Sequence, residues 1–166
     1  MNHTREIKVE GGETMFRKEE IDLLDACYQT FISRTHAFDV LSAKKWRDTG
    51  IENWVQTEFI VALFDRGFDV STYGKRKRDC DIIVRNKELE LDVGIEIKTL
   101  THTSYYKEIL INQGIRKHSR ADLFLFLTRF DSDMLRVLID YLGESDYIEE
   151  HRMLNDDWMV MIVKRE

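Results

Sequence analysis

Arg78-Asp79-Cys80-Asp81-Ile82-Ile83-Val84 and Asp92-Val93-Gly94-Ile95-Glu96-Ile97-Lys98-Thr99 are the two stretches whose reading decides the fold. The first is an aspartate opening an apolar strand, and the second alternates apolar with polar or small residues. Successive side chains of a strand point to opposite faces, so Glu96 and Lys98 share one face while Ile95 and Ile97 point into a core. Paired as a hairpin, the two strands bring Asp81 beside Glu96. Two carboxylates and one ammonium then lie within a few ångströms, a set that suits a divalent metal and a water attacking a phosphodiester.

Outward from this pair the chain alternates between the two periodicities. Ile21, Leu24, Tyr28, Phe31 and Ile32 recur at helical spacing over residues 17–33, and a shorter helix is predicted over Val40–Arg47. Asn53, with Gln56 three residues on, reads as a capping box for a helix that runs to Arg66 and stops at Gly67. Phe68-Asp69-Val70 starts a strand, Cys80–Val84 a second, and Leu89 to Ile97 a third with strict alternation. Helical spacing returns at Tyr105–Ile115, followed by the buried strand Leu123–Leu127 in the position of a crossover connection. Ser132 caps a helix ended by Gly143, and Trp158–Val163 closes the chain as a strand. The order predicts an α/β protein with a mixed sheet flanked by helices.

The aspartate before an apolar strand, the downstream Glu96-Ile97-Lys98 and the helix–strand unit that follows resemble the PD-(D/E)xK nuclease superfamily. The superfamily core is αβββαβ, and the likeness covers Asn53 to about Leu127. It implies a restriction-endonuclease-like domain over residues 51–166, with residues 1–50 as an N-terminal helical extension. Within the superfamily the pattern is similar to Holliday-junction resolvases and Mrr-like restriction enzymes, without choosing between them. Cys80 stands where the family usually has proline, and Asp79 is a rival to Asp81 if the strand begins earlier.

The resemblance implies that Asp81 and Glu96, with the carbonyl of Ile97, hold Mg²⁺, for which Mn²⁺ would substitute. Lys98 would orient the attacking water or stabilise charge on the phosphate. Taken alone, Glu96-x-Lys98 also suits the wet face of an antiparallel strand, where Glu88, Glu90 and Asp92 continue the polar row and Lys98 is an exposed lysine. Glu58 lies at the edge of the stripe formed by Val55, Phe59 and Ala62, so its carboxylate must snorkel, pair or bind a cation. The family commonly aims an acidic residue of this helix at the metal; pairing with a Lys or Arg is the other reading. Gln113 matches the polar residue that several branches carry on the next helix, although Lys117 stands where one variant has tyrosine, and a solvent-facing glutamine reads equally well. The basic runs Lys75-Arg76-Lys77-Arg78 and Arg116-Lys117-His118 followed by Arg120, with Lys107, are candidate phosphate contacts or solvated loops.

The expected activity is that of a Mg²⁺-dependent DNA endonuclease acting on duplex or branched DNA, with a two-fold homodimer as the first guess. A catalytically inactive nucleic-acid-binding or structural module on the same fold is the alternative. A net charge of −6 argues against a surface coated for nucleic acid, yet leaves room for local basic patches. The 166 residues suffice for one domain with a substantial core. The longest apolar run, Phe59–Phe64, is far short of the ~20 residues of a membrane helix, and the charged first twenty residues lack a signal-peptide core. Two cysteines form neither a disulfide framework nor a zinc spacing, so a cytoplasmic home is the expectation. The five histidines show no metal-ligand pair at helical spacing, and neither a Gly-rich phosphate loop nor a serine-hydrolase elbow is present.

Overall fold

The structure, a computed structural model, describes residues 16–42, 50–71, 80–86, 91–101 and 107–166. Three helices come first: α1 (Lys18–Phe31), α2 (Thr35–Ser42) and α3 (Ile51–Asp65). Strands β1 (Asp69–Ser71), β2 (Ile82–Asn86) and β3 (Leu91–Leu100) follow, then a π-helix (Lys107–Arg116) and β4 (Leu123–Arg129). Helix α4 (Ser132–Glu144) and strands β5 (Tyr147–Met153) and β6 (Trp158–Arg165) complete the chain. The sheet has six strands in the order β1-β2-β3-β4-β6-β5. Only the β3–β4 pair is parallel; every other neighbouring pair is antiparallel. This is an α/β fold on a mixed sheet, as the sequence pattern predicts.

Both faces of the central strands are apolar, which lets helices cover each side. Leu123, Leu125 and Leu127 of β4 join Trp158, Val160 and Ile162 of β6 in one core with α1, α2 and α3. Phe124, Phe126, Met159, Met161 and Val163 point the other way, against the π-helix and α4. The first two helices therefore share a core with the sheet. Phe38 of α2 is fully buried, with ring centroids 5.5 Å from Phe31, 5.6 Å from Trp54 and 5.2 Å from Trp158.

Four local expectations are corrected. Helix α3 starts at Ile51, after Gly50 in the left-handed conformation (φ 77°), so Asn53 lies inside it and its carbonyl accepts the Thr57 hydroxyl. Helix α4 is capped by Asp131, whose Oδ1 accepts from the N–H groups of Asp133 and Met134, and it runs through Gly143 to Glu144. The second helix occupies Thr35–Ser42, earlier than predicted; residues 43–47 of the expected span lie outside the described residues. Strand β5 was not expected, because Tyr-Ile-Glu-Glu-His-Arg-Met lacks apolar alternation; as the sheet's edge it needs little.

Glu20 ties α1 to the last strand. Its Oε2 accepts from the Arg17 N–H at 2.8 Å and from Lys164 Nζ at 2.7 Å. Burial pushes this carboxyl up, but the hydrogen bonds from Lys164 and Arg17 and the Lys164 charge outweigh it and hold it below the usual value.

Two outcomes are expected. Phe38→Ala removes the ring shared by three aromatic neighbours and should cost about 3–5 kcal/mol in urea unfolding. Glu20→Gln should destabilise at neutral pH by about 1–2 kcal/mol. A carboxyl held low in the fold stabilises above its unfolded pKa and loses that contribution as pH falls through the folded one. The gap between wild type and Glu20→Gln should therefore close on acidification, measured by urea melts along a pH series.

Candidate active site

The β2–β3 hairpin pairs Ile82 with Ile95 and Val84 with Val93. β2 begins at Ile82, and Asp81 just before it stays attached to Ile95, the partner of Ile82. The Asp81 N–H donates to the Ile95 carbonyl at 3.0 Å, and Asp81 Oδ2 accepts from the Ile97 N–H at 2.8 Å. Among the described residues β2 begins at Ile82, while β3 continues to Leu100. Backbone groups of alternate β3 residues face that edge and need partners. Glu52, in the first turn of α3, supplies the next one: its Oε2 accepts from the Thr99 N–H and its Oε1 from Lys98 Nζ, both at 3.2 Å. The alternation also turns the Ile97 carbonyl toward the stretch of edge between the Asp81 and Glu52 carboxylates.

Glu96 and Lys98 project to the face covered by the π-helix. Lys98 Nζ lies 2.9 Å from Glu96 Oε1, and His118 Nε2 lies 3.3 Å from the same oxygen. The Glu96 side chain is only 3% exposed and that of Lys98 15%, so this face is not the wet one anticipated for an isolated Glu-x-Lys. Gly114 of the helix packs on this face: a Cβ there would lie in ordinary contact with the Phe126 ring at 3.4 Å and Lys98 Cγ at 3.6 Å. The π winding is visible at its end, where the Lys117 N–H donates to the Asn112 carbonyl five residues back.

Two carboxylates, Glu96 and Glu52, thus meet one lysine, and Asp81 is held on the neighbouring Ile97 N–H. Burial raises the Glu96 carboxyl above its usual value and the Asp81 charge adds to this, against the opposing pull of Lys98 and His118. Burial alone would lower Lys98, but the hydrogen bond to Glu96 and the charges of Glu52 and Glu96 outweigh it and raise the ammonium. The two shifts differ in cause: burial dominates at Glu96, whereas the neighbouring carboxylates hold the proton on Lys98.

The predicted site residues divide accordingly. Asp81, Glu96, Ile97 and Lys98 come together. Glu58 does not join them: it forms an ion pair with Arg34, six residues and about 9 Å along α3 from Glu52. Gln113 is exposed and donates to Glu108 Oε1, as Asn112 does to Oε2. Lys107 and Lys117 are exposed, whereas Arg116 lies over the Tyr141 ring and donates to its hydroxyl, which ties the π-helix to α4. The run Lys75-Arg76-Lys77-Arg78 and the alternative aspartate Asp79 lie outside the described residues.

Two members of the cluster escaped the sequence reading. Placing the start of α3 at Asn53 left Glu52 outside the helix, although Thr49-Gly50 before it was a usable stop signal. His118 has no local signal, because the crossover alone brings it back to β3.

Among the described residues, no group of three or more His, Cys, Asp or Glu side chains is arranged to hold a metal ion. Asp81 and Glu96 are two hard carboxylates, and their contacts engage Oδ2 and Oε1, leaving each a second oxygen. Two carboxylates and a carbonyl fit Mg²⁺, which is commonly held by one or two carboxylates plus waters and substrate phosphate. No helix among the described residues is long and apolar enough to cross a membrane. No protein-family model, curated protein or solved structure matches the chain.

The ion-pair geometry makes a stability prediction. Lys98→Ala should destabilise by about 1–3 kcal/mol at neutral pH, because it leaves the Glu96 carboxylate buried beside Asp81. A carboxyl whose folded pKa is raised weakens the fold above that pKa and is relieved as pH falls through it. Mild acidification should therefore narrow the deficit, and Glu96→Gln added to Lys98→Ala should recover most of it, read by urea unfolding.

Proposed function

We propose that the protein is a divalent-metal-dependent nuclease, an endonuclease of DNA, built on a restriction-endonuclease-like αβββαβ core. The observation that carries this reading is the convergence of Asp81, Glu96 and Lys98 at the point where β2 leaves β3. The order α3, β1, β2, β3, crossover helix, β4 accords with that core, including its parallel β3–β4 pair. The excess of carboxylate over ammonium supports a cation as the missing charge.

In this reading Asp81, Glu96 and the Ile97 carbonyl would hold the ion. A divalent ion bound there supplies Lewis-acid charge at a phosphate oxygen and lowers the pKa of a coordinated water. Lys98, kept protonated by Glu52 and Glu96, donates to the attacking water or to the phosphate oxygen that gains charge. Glu52 fixes the stem end of β3 through Thr99 and shares the ammonium, so it positions Lys98 and need not touch substrate. Exposed Lys107 and Lys117 flank the π-helix and offer charge to a DNA backbone.

The test is cleavage of plasmid, linear, branched and single-stranded DNA, and of RNA, with Mg²⁺, with Mn²⁺ and with EDTA. We expect metal-dependent cutting of DNA that Asp81→Asn and Lys98→Met each reduce by about 100-fold or more. Cutting that survives EDTA or both substitutions would reject the assigned site. Silence of the folded wild type across the panel would favour a non-catalytic nucleic-acid-binding module.

A further inference from the structure

Glu96 is nearly sealed in the interior, and its nearest cation is shared. Lys98 Nζ lies 2.9 Å from Glu96 Oε1 but also donates to Glu52 Oε1 at 3.2 Å. A buried carboxylate with a divided counter-ion needs a second donor to fix its orientation. His118 is the other basic group at this carboxylate, with Nε2 3.3 Å from the oxygen that Lys98 approaches. It is held there by the backbone on both sides. The His118 N–H donates to the Gly114 carbonyl at 3.0 Å, and the Ala121 N–H donates to the His118 carbonyl at 2.9 Å. The imidazole is itself only 14% exposed.

We infer that His118 is a positioning residue: by engaging Glu96 Oε1 together with Lys98, it turns Oε2 toward the metal position. Two groups on one oxygen stop the carboxylate from rotating about its terminal torsion, which is otherwise broad. The donor set for a cation is then one fixed oxygen of Glu96, the remaining Asp81 oxygen and the Ile97 carbonyl. Outer partners of this kind typically change metal affinity by 10–100-fold. Distance along the chain makes the role a product of the fold: His118 reaches Glu96 only because the crossover lays the π-helix over β3. This inference rests on the metal-binding reading of Asp81 and Glu96.

The experiment is Mn²⁺ binding to the full chain, by titration calorimetry and by the electron paramagnetic resonance signal of free Mn²⁺, without substrate. Asp81→Asn tests the reading on which the inference rests, and His36→Ala, an exposed histidine on α2, is the control. His118→Ala should weaken Mn²⁺ binding by about 10–100-fold. His118→Gln, whose amide nitrogen reaches about as far as Nε2, should restore most of it; the shorter His118→Asn should not. Thermal melts accompany each variant, and if His118→Ala fails to fold, the Gln and Asn pair decides. Mn²⁺ affinity lost in Asp81→Asn but unchanged across the His118 variants would overturn the inference and leave the site standing. No Mn²⁺ binding by wild type would overturn both.

Discussion

A carboxylate carried into an apolar interior is the constraint around which this structure is arranged. Glu96 lies between Ile95 and Ile97 on a central strand, so its backbone is fixed by the sheet and its side chain cannot retreat to water. Left alone it would take a proton or unfold the strand. Lys98 answers part of the charge from the same strand, His118 from the turn after the π-helix, and Glu52 holds Lys98 in place from the opposite layer. Three separate elements are committed to one oxygen pair, an investment that packing alone does not require.

The second organising feature is the place where β2 and β3 part. A strand edge inside a fold must have its N–H groups satisfied, and here side chains do it: Asp81 for Ile97 and Glu52 for Thr99. There a residue of α3, Glu52, meets the lysine that also contacts Glu96. Structure and candidate chemistry use the same groups. The carboxylates that complete the ladder are those that gather negative charge at the edge.

The hairpin was legible because its signals are local. Alternation from Val93 to Ile97 and the aspartate before Ile82 set both strand faces and register, and with them the meeting of Asp81, Glu96 and Lys98. Glu58 shows the limit of such reading. A glutamate at the edge of an apolar stripe must find a cation, and helical spacing does not say which; Arg34, from the α1–α2 corner, is the one it finds. His118 and Glu52 depend on where helices begin and on how a crossover lies, which are tertiary matters. Strand β5 is polar because it is an edge, and the winding of the π-helix is hidden because apolar spacing of three and four residues also fits a wider turn.

The pairing of β3 with β4 across an intervening helix also has a kinetic meaning. Asp81 and Ile97 are 16 residues apart, whereas Glu52 and Lys98 are 46 apart. Closing the longer loop costs about 1 kcal/mol more chain entropy than closing the shorter. The hairpin can therefore form early on its own, but it then holds Asp81 and Glu96 with Lys98 as the cation beside Glu96, because Arg85, the other cation of those strands, is paired with Asp92. The crossover must close before His118 reaches Glu96, and α3 must dock before Glu52 adds its carboxylate to the lysine. The negative edge thus matures late, after the layers on either side have closed upon it.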